Sequence, residues 1–377
     1  MRSRSPFLCR KSTKPAAWHT RPEMSVIQMN AAVITDVERI DIQSLERPTL
    51  RPNYALIRVA AATLCGTDLH QYGGKIKTPL PRIPGHDFSG VVEELAPGHH
   101  KFHEGDRVVV KPSFPCGKCE YCARADYGSC EDKKLIGLHG DGCMAEYVLA
   151  PIANLVPLPD AVSFEAAANL EMFTVAMNTM KRVQPRLGEW VAVLGQGPIG
   201  LGQTRMASLS GARVIAVDVR REALEMAREF GADVTLNSTE CDVVAEVKRL
   251  TGSGADIVVE CVGAKATVDL IFQLARKEGR VANVGFQVGA ATYDLIPIML
   301  RSLTIHGVGG NGGRGQYETV IALTESGKIR PERLITHRMP LTDAAKAFSI
   351  AHKKSEPVLK VALSLNAGPN RPTLARG

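Results

Sequence analysis

The sequence predicts an α/β protein made of a β-rich part and a doubly wound part with a parallel sheet. Three observations support this prediction. Short apolar runs separated by Pro, Gly and Asp occupy residues 29–160, a pattern typical of strands joined by turns. From about residue 190 to residue 285, apolar strand patterns alternate with helical patterns, which indicates a parallel sheet covered on both faces. The alternation ends after about Gly310.

The composition is that of an ordinary globular chain. Of its 377 residues, 45% are apolar and 23% are charged, and the length suffices for two domains. The net charge is +7, but six of the 46 basic residues lie within residues 1–22, which contain no acid. The other 40 basic residues face 39 acidic ones. A nucleic-acid partner is therefore not expected, and neither is a membrane span, because no apolar run is long enough.

Both ends of the chain are predicted to be tails. Residues 1–28 are rich in Arg, Ser and Pro and have no period, so we expect a disordered basic extension. Two alternatives stay open. One is an organelle transit peptide, since such segments are basic and poor in acids. The other is an upstream start codon, with Met24 or Met29 as the natural first residue. Residues 366–377 are expected to form a flexible tail.

Strands and helices follow from the apolar patterns in chain order. The first part contains the strand candidates MNAAVI, YALIRVAAATLC, FSGVVEEL, DRVVVK and AEYVLA, with a hairpin turn predicted at Gly105–Asp106. Near Ser163 a helical pattern begins in SFEAAANLEMFTVAMNTMKRV. Strand and helix then alternate from EWVAVL to RVANVG. The last elements predicted are a helix in QYETVIALTESGKI, an extended LITHRMPL, a helix in TDAAKAFSIAHK capped by Thr342, and a strand in PVLKVALSL.

Four cysteines stand close together at positions Cys116, Cys119, Cys122 and Cys130. Four thiolates at this spacing can surround zinc and leave no position for water, so we predict a structural zinc site in a lobe of residues 112–132. An iron–sulfur cluster is the alternative. The chain has nine cysteines. An odd number in a large chain favours metal binding in a reducing compartment such as the cytoplasm over a set of disulfides.

A glycine-rich turn follows the first strand of the alternating part. The run GQGPIG contains Gly195, Gly197, Pro198, Ile199 and Gly200 directly before a helix. The glycines permit a tight turn and a close approach of the backbone, and the helix N-terminus can then face a cofactor diphosphate. A dinucleotide-binding site is therefore predicted at this turn.

The choice of dinucleotide depends on residues after the next strand. Asp218 follows Gly200 by eighteen residues, where a carboxylate accepts hydrogen bonds from ribose hydroxyls and repels a 2′-phosphate. This arrangement favours NAD. Arg220 and Arg221 come next, and an arginine there can pair with a phosphate. NADP therefore remains a possible cofactor. The alternative is that both arginines are solvated residues at the start of a helix and contact no phosphate.

The stretch LCGTDLHQYGGKIKTPLPRIPGHDFSG holds a second group of metal-ligand types. Cys65 and His86 stand about twenty residues apart, with Thr67, Asp68 and His70 between them. Zinc binds thiolate and imidazole, and a catalytic zinc takes three protein ligands and leaves one position open. We predict a catalytic zinc site that takes its third ligand from elsewhere in the chain. Asp68 is interpreted as an acceptor that orients His86 or the polar relay.

Together these residues resemble the zinc-dependent medium-chain dehydrogenase/reductase family of alcohol, polyol and threonine dehydrogenases. The motifs CGTDLH and PGHDFSG, the four-cysteine lobe and GQGPIG occur in the family's order and spacing, over nearly all of residues 29–365. The resemblance implies a GroES-like catalytic domain over residues 29–177 and 311–365. A Rossmann domain over residues 178–310 would be inserted between these two segments.

The resemblance also implies a set of metal ligands. By position, Cys65 and His86 correspond to ligands of the catalytic zinc, and Glu171 corresponds to the third ligand. Asp87 stands where most members have Glu and is a candidate additional ligand. With the four-cysteine lobe, two zinc ions per chain are expected.

The implied reaction is oxidation of a small secondary alcohol or polyol to the ketone, with NAD as hydride acceptor. By family position, Thr67 passes the alcohol proton onward, and His70 receives it through the cofactor ribose and releases it to solvent. A homodimer or homotetramer is expected. An L-threonine 3-dehydrogenase-like enzyme and an NADP-dependent secondary-alcohol dehydrogenase are the alternatives. His337 and Arg338 lie in ITHR, which polyol and threonine dehydrogenases share near their substrate end.

Overall fold

A computed structural model describes residues 27–98, 100–286, 295–310 and 315–365. Residues 1–26 and the predicted tail 366–377 lie outside the described residues. The first strand begins at Gln28. No helix in the described ranges is long and apolar enough to cross a membrane.

The first part of the chain forms short strands joined by loops and short helices. The strands are β1 (Gln28–Asp36), β2 (Arg39–Glu46), β3 (Tyr54–Thr63), β4 (Asp87–Leu95), β5 (Arg107–Val110), β6 (Ser113–Phe114), β7 (Lys134–Leu135), β8 (Tyr147–Pro151) and β9 (Leu155–Pro157). The helices are α1 (Gly66–Tyr72), α2 (Glu120–Ala123), α3 (Phe164–Ala167) and α4 (Glu171–Val183). The turn before β5 lies one residue earlier than predicted. The Asp106 N–H donates to His103 O at 3.1 Å, so Glu104 and Gly105 are its central residues.

The middle of the chain alternates strand and helix. The strands are β10 (Trp190–Leu194), β11 (Arg213–Asp218), β12 (Val234–Asn237), β13 (Ala255–Glu260), β14 (Ala275–Asn283) and β15 (Thr304–Gly307). The helices are α5 (Pro198–Leu209), α6 (Arg221–Glu229), α7 (Val243–Thr251), α8 (Lys265–Leu274) and α9 (Leu295–Arg301). These strands form a parallel sheet in the order β12-β11-β10-β13-β14-β15.

Both faces of this parallel sheet are buried. On β10, Val191 and Val193 pack into one hydrophobic cluster, and Ala192 and Leu194 pack into another on the opposite face. Such two-sided burial explains the uninterrupted apolar run WVAVL. The predicted doubly wound fold is thereby confirmed. The strand order reverses between β10 and β13, the point at which sheets of this type bind ligands.

The end of the described chain returns to the β-rich part. Its elements are α10 (Gln316–Glu325), β16 (Ile335–Pro340), α11 (Ala344–Lys353) and β17 (Lys360–Ser364). Strand β17 pairs antiparallel with β3, with Ala362 opposite Thr63, and completes a mixed sheet in the order β16-β17-β3-β4-β5-β9. The prediction that Thr342 caps α11 is wrong. A 3-10 turn at Leu341–Asp343 precedes the helix, and Asp343 occupies the N-cap position.

Candidate metal centre and cofactor site

Antiparallel pairing of β3 and β4 brings the first two candidate ligands together. Thr63, the last residue of β3, lies opposite Asp87, the first residue of β4. Cys65 follows Thr63 by two residues and occupies the N-cap of α1, while His86 directly precedes β4. Two side chains that are about twenty positions apart in sequence therefore meet at one end of the sheet.

Cys65, His86 and Asp87 form a compact group of potential ligands. One ligand atom from each lies within 4.8 Å of the others, and His86 and Asp87 are each only 4% exposed. Asp87 Oδ1 has no hydrogen-bond partner among the described residues and lies 3.9 Å from His86 Nε2. Asp87 Oδ1 is thus a buried oxygen without a bond, and a cation between it and the imidazole of His86 would satisfy it. Thiolate, imidazole and carboxylate are zinc ligands, so this group fits the predicted metal.

Asp68 holds both Cys65 and His86 in place. Its Oδ2 accepts the Cys65 N–H at 2.8 Å, and its Oδ1 lies 3.2 Å from His86 Nδ1. Nε2 of His86 is left facing the metal space, as a ligating histidine requires. Burial opposes the charged imidazolium, but the carboxylates of Asp68 and Asp87 hold the pKa of His86 well above its usual value.

A buried lysine, which we did not predict, neutralises Asp87. Lys360 Nζ lies 3.0 Å from Asp87 Oδ2, and both side chains are almost fully buried. Burial alone would lower the pKa of Lys360, but the attraction of Asp87 raises it above its usual value. The sequence signal was a single cation inside the apolar strand pattern PVLKVALSL. Asp87 is thus already paired with a protein cation.

Glu171 begins helix α4 and lies beside the three-residue group, not within it. Burial and then the charge of Asp87 raise the pKa of Glu171 to about 7, while His86 and Lys360 act in the opposite direction. Its Oε1 also faces Gly310, where a Cβ would lie 3.8 Å away. The charge of Glu171 therefore interacts with Asp87, His86 and Lys360, although its carboxylate is not among the ligand atoms that lie within 4.8 Å of one another.

Helix α1 carries both predicted proton-relay residues. Thr67 and His70 are three positions apart, so they share one face of the helix, and both are half-buried. Burial, followed by the charges of Lys75, His352 and Lys354, lowers the pKa of His70.

The His70 ring also contacts an aromatic side chain that was not predicted from the sequence. The ring of Phe286, which follows β14, lies 5.4 Å from that of His70. This contact joins the two parts of the protein beside the relay.

The four cysteines of the predicted lobe come together as a second ligand group. One sulfur from each of Cys116, Cys119, Cys122 and Cys130 lies within 4.8 Å of the others. Cys119 Sγ is 3.5 Å from Cys122 Sγ. Backbone N–H groups of Cys122 and Glu131 lower the pKa of Cys119 to about 6, which favours the thiolate that binds zinc. Four sulfurs without another ligand type suit a closed structural site.

The glycine turn after β10 has the backbone geometry that a diphosphate requires. Gly195 has φ +85°, and Gly197 is the N-cap of α5, with Pro198 and then Ile199 opening the helix. A Cβ at Gly200 would lie 1.7 Å from the Gly195 carbonyl oxygen. Glycine is therefore required at both positions, and the free N–H groups of the α5 N-terminus remain available to an anion.

Asp218 ends β11 and already has several donors. Its Oδ2 accepts the Gln196 N–H at 2.6 Å. Its Oδ1 accepts the Arg220 N–H at 2.9 Å and lies 3.3 Å from Arg220 Nε. The ion pair draws the Arg220 guanidinium toward the carboxylate, so the two side chains act as one unit at this end of the site.

A cavity of about 650 Å³ joins the glycine turn to Asp218. One side is formed by the turn after β13, which the buried Glu260 holds by accepting the N–H groups of Val262 and Gly263. Cys261 lines this cavity and also packs, partly buried, against the hydrophobic core. The other side is formed by residues 354–358, between α11 and β17. Nothing in the sequence of residues 354–358 indicates contact with a cofactor.

The motif ITHR makes contacts inside the chain. Arg338 Nε donates to both carboxylate oxygens of Glu165, at 3.1 and 2.9 Å. His337 Nε2 lies 3.4 Å from Glu356 Oε1. The motif thus links β16 to α3 through Arg338 and to the loop before β17 through His337.

Comparison with known proteins gives two family matches, in the same order as the two parts of the fold. The model for the alcohol dehydrogenase GroES-like domain matches residues 51–160, and the model for zinc-binding dehydrogenases matches residues 198–326.

Individual relatives match over most of their length. An alcohol dehydrogenase of Cupriavidus necator is 32% identical over 369 residues, covering 89% of this chain and 98% of the relative. An L-threonine 3-dehydrogenase of Pyrococcus horikoshii is 34% identical over 308 residues, covering 79% and 87%. The solved structure of an alcohol dehydrogenase from Thermus sp. ATN1 superposes with a TM-score of 0.83 at 34% identity, covering 90% of this chain and all (100%) of that one.

Proposed function

The chain belongs to the zinc-dependent medium-chain dehydrogenase family, and we propose that it oxidises a secondary alcohol or polyol to the ketone with NAD as hydride acceptor. The observation that carries this proposal is the buried group of Cys65, His86 and Asp87, with Glu171 beside it. The glycine turn at the carboxyl end of β10 supplies the place for the dinucleotide. When bound at the buried group, zinc supplies a Lewis acid that lowers the pKa of the substrate hydroxyl.

Within this group, we assign Cys65, His86 and Glu171 as the ligands of the catalytic zinc. The charge of Asp87 is compensated by Lys360 at 3.0 Å. Glu171 has no such ion pair among the described residues, and burial and the charge of Asp87 raise its pKa to about 7. A metal ion would relieve the cost of burying this carboxylate. Asp87 is then a charged neighbour that sets the field at the centre, and the cysteine lobe is the second zinc site.

Thr67 and His70 are assigned to proton removal. The Thr67 hydroxyl can accept a proton from the substrate hydroxyl while it donates its own. His70 has a lowered pKa, so its imidazole is neutral at neutral pH and can accept that proton before releasing it to solvent. A dinucleotide held at the glycine turn of Gly195 and Gly197 would supply the hydride acceptor.

The preference for NAD rests on the pair of Asp218 and Arg220. Asp218 lines the cavity at the end of β11, where a carboxylate can accept hydrogen bonds from ribose hydroxyls and repels a 2′-phosphate. Arg220 Nε lies 3.3 Å from that carboxylate, so its guanidinium is directed at Asp218.

L-threonine is the second candidate substrate. The specific observation that favours it is the 34% identity to a threonine 3-dehydrogenase. Oxidation of threonine at its hydroxyl-bearing carbon is the same reaction type, so the same ligands and relay would serve.

A substrate panel tests these proposals. Diols, polyols, threonine and simple alcohols are assayed with NAD and with NADP, and the zinc content per chain is measured by atomic emission. We expect the highest kcat/KM with a secondary alcohol or polyol and NAD, and two zinc ions per chain. The highest kcat/KM with threonine would favour the second candidate. A chain that oxidises none of these compounds would contradict the proposal.

We further propose that the protein is a homo-oligomer assembled through the edge of its parallel sheet. Among the described residues, strand β15 is one of the two edge strands of this sheet, with β12 at the other edge, and unpaired edges tend to pair with another strand. Helix α9 beside it exposes an apolar surface. Its exposed residues are Leu295, Ile296, Met299 and Leu300. A second copy of this chain, related by a twofold axis, would cover both features, and light scattering is expected to give a dimer or tetramer mass.

The domain division and the compartment are also proposals. We assign residues 29–177 and 311–365 to the catalytic domain and residues 178–310 to the cofactor domain, which is supported by the pairing of β17 with β3. The eight described cysteines are all free thiols. This supports a reducing compartment, and we assign the cytoplasm.

A further inference from the structure

Residues 354–358 bring part of the C-terminal segment to the cofactor cavity. They line the same cavity as Gly195 and Gly197, yet they follow α11 and precede β17, a strand of the mixed sheet. The glycine turn presents N–H groups of α5 to an anion from one side. The loop is therefore placed to contact the same anion from the opposite side.

Lys354 is the cation of this loop that has no ion pair among the described residues. Of the other charged residues lining the cavity, Asp218, Arg220 and Glu356 have charged partners, and Glu222 adds an acidic side chain to the lining. Arg220 pairs with Asp218, and Glu356 lies 3.4 Å from His337. Lys354 is exposed and lies close enough to His70 to lower its pKa. It therefore adds positive charge to the cavity that the glycine turn also lines, within electrostatic reach of His70 in the proton relay.

The backbone at Lys354 is in the left-handed region. Its φ and ψ are 49° and 42°, and its N–H donates to Ile350 O at 2.9 Å at the end of α11. Gly and Asn adopt this conformation at helix ends more readily than lysine does. The conformation ends the helix there and turns the chain toward the cofactor cavity.

The ITHR motif fastens this loop from the other side. Leu359 N–H donates to Thr336 Oγ1 at 3.1 Å, and that hydroxyl donates to Lys360 O at 3.2 Å. The contact of His337 with Glu356 adds a third attachment. The loop thus has a fixed position before any ligand arrives, which reduces the entropy lost on binding.

We propose that Lys354 binds the diphosphate of the nicotinamide dinucleotide from the catalytic side of the cleft, and that Thr336 and His337 position the loop that carries it. This inference rests on the proposed binding of the dinucleotide at the glycine turn. Lys354 is a cofactor-binding residue in this reading, and the two ITHR residues are positioning residues.

The test compares Lys354→Asn with Lys353→Gln. Asparagine tolerates the left-handed conformation, so the first variant removes the charge and keeps the turn. The second removes an equal charge from the adjacent exposed lysine, which does not line the cavity. We expect Lys354→Asn to raise the Kd of NADH, measured by fluorescence, by about tenfold, the scale of one charge-assisted hydrogen bond. Lys353→Gln and the conservative Lys354→Arg are expected to stay near the wild-type Kd.

Smaller probes locate the contact. We expect Lys354→Asn to weaken ADP-ribose by a similar factor and to leave adenosine, which has no phosphate, unchanged. Thr336→Val is expected to weaken ADP-ribose binding while Lys354 remains present. If Lys354→Asn does not fold, Lys354→Gly serves in its place, because glycine also accepts this backbone conformation.

Each outcome separates this inference from the proposed function. Wild-type protein that binds neither NADH nor NADPH would contradict the proposed function itself. Tight wild-type binding, with Lys354→Asn within twofold of it, would overturn the role of Lys354 alone. Equal weakening by Lys353→Gln would overturn it too, because the effect would then be one of general surface charge.

Discussion

Replacing Lys360 by methionine removes one partner of a buried ion pair at the metal centre. Lys360 Nζ and Asp87 Oδ2 are 3.0 Å apart, and the side chains are 5% and 2% exposed. With an effective dielectric constant of about 20, Coulomb's law gives an attraction of about 5.5 kcal/mol at this distance. Desolvation of the two charges offsets part of this. Loss of one partner leaves Asp87 buried and uncompensated, which costs about 3–5 kcal/mol.

Urea-induced unfolding at a fixed zinc concentration measures this loss. We expect the free energy of unfolding to fall by about 3 kcal/mol or more in Lys360→Met. Lys353→Met, on the exposed end of α11, is the matched control and is expected to change it by less than about 0.5 kcal/mol.

The double variant Lys360→Met/Asp87→Asn is expected to be more stable than Lys360→Met, since no charge is then left without a partner. A loss below about 1 kcal/mol in Lys360→Met, the scale of an exposed pair, would refute the reasoning. Equal stability of the single and double variants would do the same.

Three further predictions concern the site. Cys65→Ser is expected to abolish turnover and to reduce the zinc content from two ions per chain to one, while NADH still binds. Retained activity would exclude a catalytic zinc at Cys65. Asp218→Gly is expected to raise the kcat/KM ratio of NADP to NAD, and an unchanged ratio would count against its role. Burial and nearby cations lower the pKa of His70, and only its neutral form accepts the proton. We therefore expect kcat/KM to rise with increasing pH, with a midpoint below 6.5. Lys75→Gln should move that limb to higher pH, and an unmoved limb would argue against His70 as the acceptor.

Features carried by a short stretch of chain could be predicted from the sequence. Gly195 and Gly200 lie within one turn and one helix end, so their spacing alone determines how closely their backbones approach. The four cysteines of the lobe lie within fifteen residues, and one loop brings their sulfurs together. The two-part α/β fold followed for a similar reason, because strand and helix periods are local properties of the side-chain pattern.

The arrangement around the catalytic centre depends on contacts between residues far apart in the chain, which the local sequence pattern does not predict. Cys65 and His86 were recognised by residue type, but their proximity follows from the register that places Thr63 opposite Asp87. The same register places Asp87 within the ligand group, whereas Glu171 lies beside it at the start of α4. A ligand list taken from positions alone could not distinguish these two carboxylates.

Lys360 and Lys354 show most clearly what only the tertiary structure decided. Lys360 is 273 residues from Asp87 and meets it because β17 pairs with β3, which in turn pairs with β4. Lys354 reaches the cofactor cavity because α11 ends in a left-handed turn one loop before β17. The sequence determined which chemical groups are available to the site. Long-range strand pairing decided which charges face each other. The energy of a charged side chain depends on how deeply it is buried and how far it lies from other charges, and the adjacent residues in the sequence determine neither quantity.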